Sequence, residues 1–205
     1  MSSAKTVKEL REISGAGMMD CKKALEEANY NIDNAMDILR KNGIAKAQKK
    51  AGRAAKDGVI IPYIHPGSKL GVLVEINCET DFVARTDGFQ SFSRDIAMHI
   101  AAAMPLAVKR EEISEDLISR EKDIYKEQAL QSGKPENIID KMTEGRLNKF
   151  YQENVLLEQN FVKDPDKTIQ DLLNDTISTL GENIEIKRFS RFQLGELSKS
   201  EEDSD

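Results

Sequence analysis

The sequence predicts an α+β protein, in which an N-terminal three-helix bundle precedes a core of a small three-stranded antiparallel sheet with helices and a helical hairpin. Apolar residues recur at helical spacing through residues 5–42, alternate at strand spacing in 58–64 and 70–78, and then return to helical spacing. With 205 residues, 39% hydrophobic and 32% charged, the chain is long enough for one ordinary domain plus a small one.

The N-terminal region predicts three short helices. The first covers roughly residues 6–13 and is broken by Gly15 and Gly17. Asp20 suits the N-cap or the first turn of the second, and the third lies between Asn31 as its N-cap and Asn42-Gly43 as its end. The apolar positions of the second and third helices follow helical spacing: Cys21, Ala24, Leu25, Ala28, then Ile32, Ala35, Met36, Leu39. A compact bundle of this kind resembles a ubiquitin-associated domain.

A change in charge suggests the domain boundaries. Residues 1–56 carry 12 Lys and Arg against 7 Asp and Glu, whereas the rest of the chain carries 18 against 29. We therefore predict a bundle in 1–43, a basic linker in 44–56, a core in 57–195 and an acidic, disordered tail in 196–205. Seven basic residues and no acid in 40–56 could also form a nucleic-acid patch. A solvated helical linker is favoured, because no aromatic residue is interleaved for base stacking.

The predicted core begins with a hairpin. Strands 58–64 and 70–78 are joined by a turn at 65–69, and Pro62 marks an edge strand because it cannot donate a ladder hydrogen bond. A helix over 89–103 follows, and then a helical hairpin over 113–151, with Ser114 as a cap and Pro135 starting the second arm. Residues 156–165 are expected to be a connector, 168–180 a helix ended by Gly181, and 184–192 a third strand.

Two short segments stand out as candidate contact sites. In Cys78–Asp87, at the junction of strand and helix, Phe82 is flanked by polar residues. Residue chemistry alone favours a Phe that folds back into its own core, and the alternative is a wedge for a partner. Met18 and Met19 are adjacent at a loop-to-helix corner, so at least one is expected to be exposed, where a thioether adapts to an apolar groove. The alternative is that one methionine lies in the core and the other has no function.

The residues needed for bond chemistry are absent. His65 and His99, with Cys21 and Cys78, show no metal-ligand spacing, and no phosphate-binding loop of the GxxxxGK[ST] type occurs. Glu79, Asp81 and Asp87 lack an accompanying nucleophile or histidine, so we interpret them as exposed caps. The sequence therefore predicts no enzyme activity, no cofactor and no metal.

The same composition predicts a cytoplasmic protein. No apolar run approaches the length of a membrane span, and no signal peptide is evident, so no membrane partner is expected. Two cysteines are too few for a disulfide framework and are expected to be reduced and buried. The acidic bulk of the chain argues against nucleic acid as a main partner.

Several motifs together resemble the elongation factor Ts family. They are Leu10–Leu25 (LREISGAGMMDCKKAL), residues 79–84 (ETDFVA) after the strand GVLVE, residues 132–139 (SGKPENII) and residues 144–151 (EGRLNKFY), in the family's order. The resemblance covers about residues 6–192. Longer family members have a second, related core half that is missing here, so this chain resembles the short form.

The resemblance implies a guanine-nucleotide exchange factor that binds elongation factor Tu with bound GDP. It implies docking through Met18, Met19 and Asp20, and intrusion of Thr80, Asp81, Phe82 and Val83 beside the nucleotide and its magnesium ion. A second copy of the chain, in a homodimer or a 2:2 complex, could replace the missing half, and the oligomeric state stays open. The alternatives are a peptide-binding adaptor that uses the bundle and a nucleic-acid-binding accessory protein that uses residues 40–56.

Overall fold

The computed structural model describes residues 3–131 and 135–196, which form eight α-helices and five β-strands. The predicted α+β class is therefore confirmed. The helices are α1 (Ser3–Ser14), α2 (Met18–Glu27), α3 (Ile32–Lys50), α4 (Asp81–Ala84), α5 (Asp87–Ala103), α6 (Glu115–Leu130), α7 (Glu136–Asn154) and α8 (Ile169–Leu180). The strands are β1 (Asp57–Ile64), β2 (Leu70–Cys78), β3 (Asn160–Phe161), β4 (Asp164–Thr168) and β5 (Ile184–Gln193).

The larger sheet has the strand order β1–β2–β5. Pro62 lies in an edge strand, and β5 joins the hairpin as the third strand, as the sequence predicts. The alternation in β2 buries one set of side chains: Val72, Val74, Ile76 and Cys78. The interpretation of residues 156–165 as a connector is wrong, because this stretch contributes to a second, two-stranded antiparallel sheet of β3 and β4. Two-residue β3 is too short to show an alternation in sequence.

The chain falls into two compact units. Unit one comprises the chain up to Ile60 together with Ile76–Ser93 and Asp171–Glu185. It contains the bundle of α1, α2 and α3, whose buried core is Val7, Leu10, Cys21, Ala24, Leu25, Ala28 and Ala35. Asn31 caps α3 by accepting a hydrogen bond from the Asn34 amide at 2.9 Å. Gly15, with φ of +66°, follows α1 in a conformation that favours glycine.

The predicted end of the third helix at Asn42-Gly43 is wrong, because α3 continues to Lys50. Gly43 is buried, and a Cβ atom there would lie 3.8 Å from Cβ of Ser178 in α8. A Cβ atom at that distance would be in ordinary van der Waals contact, so the site does not require glycine. Gly43 has no left-handed backbone conformation and continues α3, because the helix packs beside α8 here. Arg40 pairs with Asp171 at 3.0 Å on the same side. The predicted linker thus begins inside a helix, and the proposed division into domains stays a prediction.

Gly58, near the start of β1, supplies a testable consequence for stability. Its φ is +141°, and a Cβ atom there would collide with the Ile76 carbonyl oxygen and lie 2.7 Å from Cα of Asn77. We expect Gly58→Ala to lower the free energy of unfolding by roughly 2–4 kcal/mol, since both the backbone strain and the clash must be relieved. Urea unfolding measures this loss. Gly145→Ala, at a helical glycine with open space around it, is the control and should not destabilise the fold.

Unit two comprises Ile61–Glu75, Arg94–Gln170 and the chain from Ile186 onward. Its helical hairpin of α6 and α7 confirms the prediction, and Ser114 caps α6 by accepting from the Leu117 amide at 3.3 Å. Residues 132–134 of the hairpin and 197–205 of the predicted tail lie outside the described residues. Near the end of α7, Arg110 stacks on the Tyr151 ring at 4.2 Å and pairs with Glu158.

His99 of α5 is fully buried in unit two. Its Nε2 lies 3.0 Å from Oε1 of Gln159, and its Nδ1 accepts a hydrogen bond from the Val162 amide at 3.4 Å. Because Nδ1 accepts, the neutral ring must carry its proton on Nε2 and donate it to Gln159. Burial lowers the pKa of His99 below its ordinary value, although the hydrogen bond to Gln159 acts in the opposite direction.

This buried imidazole predicts a loss of stability in mild acid. The unfolded chain takes up the proton near pH 6.5, the ordinary pKa of a histidine, whereas the folded chain resists protonation. The stabilisation is therefore present above that pH and is lost below it. The slope approaches about 1.4 kcal/mol per pH unit for one such group. We expect urea unfolding between about pH 5 and 7.5 to show a smaller slope for His99→Gln, with His65→Gln in the exposed turn as the control.

Candidate partner-binding site

The polypeptide turns sharply between β2 and α5, and Phe82 lies at this corner. Thr80 is the N-cap of the one-turn helix α4, and its hydroxyl oxygen accepts a hydrogen bond from the Val83 amide at 3.4 Å. Thr86 begins the next helix in a similar way, since its hydroxyl accepts from the Phe89 amide at 3.3 Å and donates to the Val83 carbonyl at 2.8 Å. Short polar side chains that cap successive turns give the corner a defined backbone.

Within this corner Phe82 is turned outward, with 81% of its surface exposed. Ala84, two residues later, is buried and anchors the turn from its inner side. Residue chemistry alone favours a Phe folded into its own core, and that interpretation is wrong. An aromatic side chain this exposed, on a backbone held at both ends, contributes little to the fold and is available to a partner.

Asp81 lies beside Phe82 and is also accessible. Its carboxylate pairs with Arg85 one turn later, with Oδ2 and Nη2 at 2.8 Å. Both side chains are substantially exposed, and such a pair contributes only about 0.2–1 kcal/mol. The carboxylate can therefore exchange Arg85 for another partner at little cost.

The loop after α8 holds the corner in place through a group of contacts that the sequence did not predict. The Glu182 carboxylate accepts hydrogen bonds from the amides of Glu79 and Thr80, at 3.1 and 3.0 Å, and from the Thr80 hydroxyl at 2.6 Å. In return, the Glu79 carboxylate accepts from the Asn183 amide at 2.6 Å and lies 3.6 Å from Arg53. Glu182 lies about a hundred residues from the corner in sequence, so no local pattern could have revealed it.

Cys78, just before the corner, is buried and has an unreactive thiol. Burial raises the pKa of Cys78 to about 11, with a further contribution from the nearby Glu182 charge. The thiol therefore keeps its proton at neutral pH and donates it to the Thr80 carbonyl at 3.1 Å. Its contribution to the corner is structural, as expected for a small buried hydrophobe.

The second candidate contact site lies at the start of α2. Met18 and Met19 expose 46% and 62% of their surfaces, so both of the paired methionines face solvent, whereas the sequence requires only one to do so. Gly17 precedes the helix without a side-chain cap, and Asp20 lies in the first turn, one of the two positions predicted for it. Asp20 pairs with Lys46 of α3 at 2.7 Å.

Both candidate sites belong to unit one, and the C-terminal half of α3, with the residues just after it, contacts the residues around each. Lys46 binds Asp20 at the methionine corner, Lys50 donates to the Gly181 carbonyl, and Arg53 lies beside Glu79 at the Phe82 corner. The basic stretch 40–56 therefore makes defined contacts, which its composition alone does not predict. Of the three carboxylates interpreted as exposed caps, Glu79 pairs with Arg53 and Asp81 pairs with Arg85.

Two absences within residues 3–131 and 135–196 bear on other functions. His, Cys, Asp and Glu side chains of these ranges form no group of three that could hold a metal ion. No helix of the same ranges is both long and apolar enough to cross a membrane.

The family model described as Elongation factor TS matches residues 1–196. The chain belongs to the elongation factor Ts family. The resemblance of the sequence motifs to this family is thereby confirmed, and the chain is a translation elongation factor that acts in protein biosynthesis.

Individual elongation factor Ts proteins match over almost the full chain. The protein from Geobacter sulfurreducens is 62% identical over 202 residues, which is 98% of this chain and 94% of the relative. That from Carboxydothermus hydrogenoformans is 59% identical over 204 residues, covering 99% and 94%. That from Thermoanaerobacter sp. (strain X514) is 58% identical over 196 residues, covering 96% of each. The chain thus corresponds in length to these elongation factor Ts proteins.

Proposed function

We propose that this chain binds elongation factor Tu in its GDP-bound form and promotes release of GDP, so that GTP can be loaded. In this proposal the corner Thr80–Val83 enters beside the nucleotide and its magnesium ion. The observation that carries the proposal is the 81% exposure of Phe82 on a braced one-turn helix. Membership of the elongation factor Ts family supplies the partner. The factor itself makes and breaks no covalent bond, and it acts in the cytoplasm.

The proposed mechanism is a shift between two conformations of the partner. Phe82 inserts into an apolar cleft that is open when the nucleotide site is empty and closed when GDP is bound. Burying one Phe side chain is worth roughly 1.5–3 kcal/mol, or about ten- to a hundredfold in the population ratio. A larger effect requires a second contribution.

Asp81 supplies that contribution in the proposal. Its carboxylate leaves Arg85 and competes for hydrogen bonds or positive charge around the partner's magnesium ion, which weakens the grip of the metal on GDP. The exposed Asp81–Arg85 pair, with its 2.8 Å separation, is inexpensive to open. Removing magnesium should therefore speed GDP release by itself and shrink the further acceleration that this chain provides.

The methionine corner provides docking. Met18 and Met19 present flexible apolar side chains to the GTPase domain of the partner, and their exposure leaves them free to do so. Asp20, held by Lys46, orients the first turn of α2 beneath them. These contacts form whether or not nucleotide is bound, so they govern affinity, whereas the Phe82 corner governs release.

A nucleic-acid-binding role for residues 40–56 is less well supported. Four of the seven basic side chains in this stretch already have partners within unit one: Arg40 with Asp171, Lys46 with Asp20, Lys50 with Gly181 and Arg53 with Glu79. Cations engaged in this way are less available to phosphates. A peptide-binding adaptor role would leave the exposed Phe82 without a purpose.

The experiment that tests the proposed function is release of labelled GDP from elongation factor Tu with and without this chain. Acceleration that saturates with added chain, and that shrinks when magnesium is chelated, is expected. An unchanged release rate at every concentration of the chain would contradict the proposal.

We further propose that a second copy of the chain covers the outer side of the sheet in unit two, in a homodimer or a 2:2 complex. Ile64 and Leu73 are exposed there, and Ile64 lies against Gly71, two residues from Leu73. Phe192 of β5 is also exposed. The strand β5 lies beside β2 at this point, because Arg188 pairs with Glu75, two residues after Leu73. Sedimentation should detect a dimer that Leu73→Glu converts to monomer, and a wild-type monomer at high concentration would exclude it.

A further inference from the structure

One carboxylate from a distant part of the chain, that of Glu182, makes three of the contacts that hold the Phe82 corner. Glu182 lies on the loop between α8 and β5, and its two oxygens accept three hydrogen bonds from Glu79 and Thr80, at 2.6–3.1 Å. Hydrogen bonds to an ionised carboxylate are about twice as strong as those between neutral groups. The Glu182 side chain thus satisfies the first free backbone amides of the corner.

The attachment is reciprocal. The Glu79 carboxylate accepts from the Asn183 amide at 2.6 Å, so each of the two segments uses a side chain to bind the backbone of the other. Arg53 joins them, because its guanidinium lies 3.6 Å from Glu79 and its carbonyl accepts from the Asn183 side chain at 2.8 Å. All of these residues belong to unit one.

These contacts fix the direction in which Phe82 points. The Phe82 side chain is 81% exposed and so has few contacts of its own to orient it, which leaves its direction to the backbone of α4. Thr80 is the N-cap of α4, and Glu182 holds both its amide and its hydroxyl. Without Glu182 the cap could rotate away, and α4 is only one turn long, too short to persist without a cap.

The same loop is tied to the helix that contacts the methionine corner. Lys50 of α3 donates to the Gly181 carbonyl, next to Glu182, and Lys46, one turn earlier, pairs with Asp20. A rigid helix therefore connects the two candidate contact sites through charged side chains at its own C-terminal end. A wedge is effective only if its position relative to the docking contacts is defined.

We propose that Glu182 is a positioning residue for nucleotide exchange: it holds the Phe82 corner at a fixed direction relative to the methionine corner, without itself touching the partner. This inference rests on the proposed exchange function. It assigns to the loop after α8, and to Arg53 in the basic stretch, a role in the maximal rate of GDP release.

The test compares Glu182→Ala and Glu182→Gln with the wild type in GDP release from elongation factor Tu, over a range of factor concentrations. For Glu182→Ala we expect the maximal rate at saturation to fall roughly ten- to a hundredfold, because a small misplacement of a reacting element has effects of that size. The half-saturating concentration of the factor should stay within about twofold of the wild-type value, because the methionine corner docks equally well on the GDP-bound and the empty GTPase. Glu182→Gln should be intermediate, because one amide oxygen still accepts from Glu79 and Thr80.

Glu112→Gln is the matched control. Its carboxylate likewise accepts a backbone amide, that of Val108 at 2.9 Å, but in unit two, and this variant should keep the wild-type maximal rate. A wild-type maximal rate for folded Glu182→Ala would overturn the inference. If circular dichroism shows that Glu182→Ala is unfolded, Glu182→Gln decides, and an unchanged rate below its melting temperature overturns the inference. Failure of Phe82→Ala to slow release would instead contradict the proposed function.

Discussion

Phe82→Ala is expected to abolish most of the exchange activity while leaving the fold intact. Removing the ring should forfeit the roughly 1.5–3 kcal/mol that its burial in the partner supplies, which corresponds to a loss of about ten- to a hundredfold. The stability of the free protein should change by no more than about 0.5 kcal/mol, because the exposed ring loses little burial when it is removed. The measurements are the maximal rate of GDP release from elongation factor Tu and the melting temperature of the isolated variant.

Phe89→Ala is the contrasting control, since Phe89 is the same residue type seven positions later but fully buried. It should lose about 3–5 kcal/mol of stability through the cavity it creates. The wedge role of Phe82 would be wrong if Phe82→Ala showed the pattern of the control, a sharply lower melting temperature with normal exchange by the folded fraction.

The double variant Met18→Ala, Met19→Ala is expected to weaken docking without slowing the step that follows it. Both side chains are exposed, so their loss should leave the bundle folded. Removing two adaptable apolar contacts should raise the half-saturating concentration by about ten- to a hundredfold. The maximal rate should stay near that of the wild type, because these contacts are equally present with GDP bound and with the site empty.

Ile124→Ala, at an exposed apolar residue of α6 in unit two, controls for a general loss of surface hydrophobicity and should change neither quantity. A fall in maximal rate for the methionine variant at saturating concentration would contradict the separation of docking from release.

The elements with strong periodicity were predictable from the sequence. Alternation of Val72, Val74 and Ile76 indicates β2 and its buried face, and helical spacing with a cap indicates α6 after Ser114. The predicted end of the third helix failed, because tertiary contacts determine where α3 ends. Asn42-Gly43 has the composition of a helix end, but Gly43 instead lies close to Ser178 of α8, and a single sequence contains no record of that neighbour.

The sequence predicted the exposed residues of the candidate site but not the residues that hold the Phe82 corner in place. Phe82, Met18 and Met19 could be singled out because an apolar residue in polar company is visible locally. Residue chemistry favoured an inward Phe82, and this was wrong, because the caps and the Glu182 contacts that set the backbone of α4 turn the ring outward. Glu182 and Arg53 act on residues distant in sequence, through hydrogen bonds and charge, and their own surroundings carry no corresponding pattern.

The central claim, that this chain favours the nucleotide-free state of elongation factor Tu, is tested most directly by measuring its affinity for the GDP-bound and the empty GTPase. Coupling between two ligands is reciprocal, so the factor by which the chain weakens GDP must equal the factor by which GDP weakens the chain. Each tenfold of antagonism corresponds to about 1.4 kcal/mol. We expect the empty GTPase to bind this chain at least tenfold more tightly, and Phe82→Ala and Asp81→Ala each to reduce that ratio. Equal affinity for the two forms would contradict the exchange-factor account.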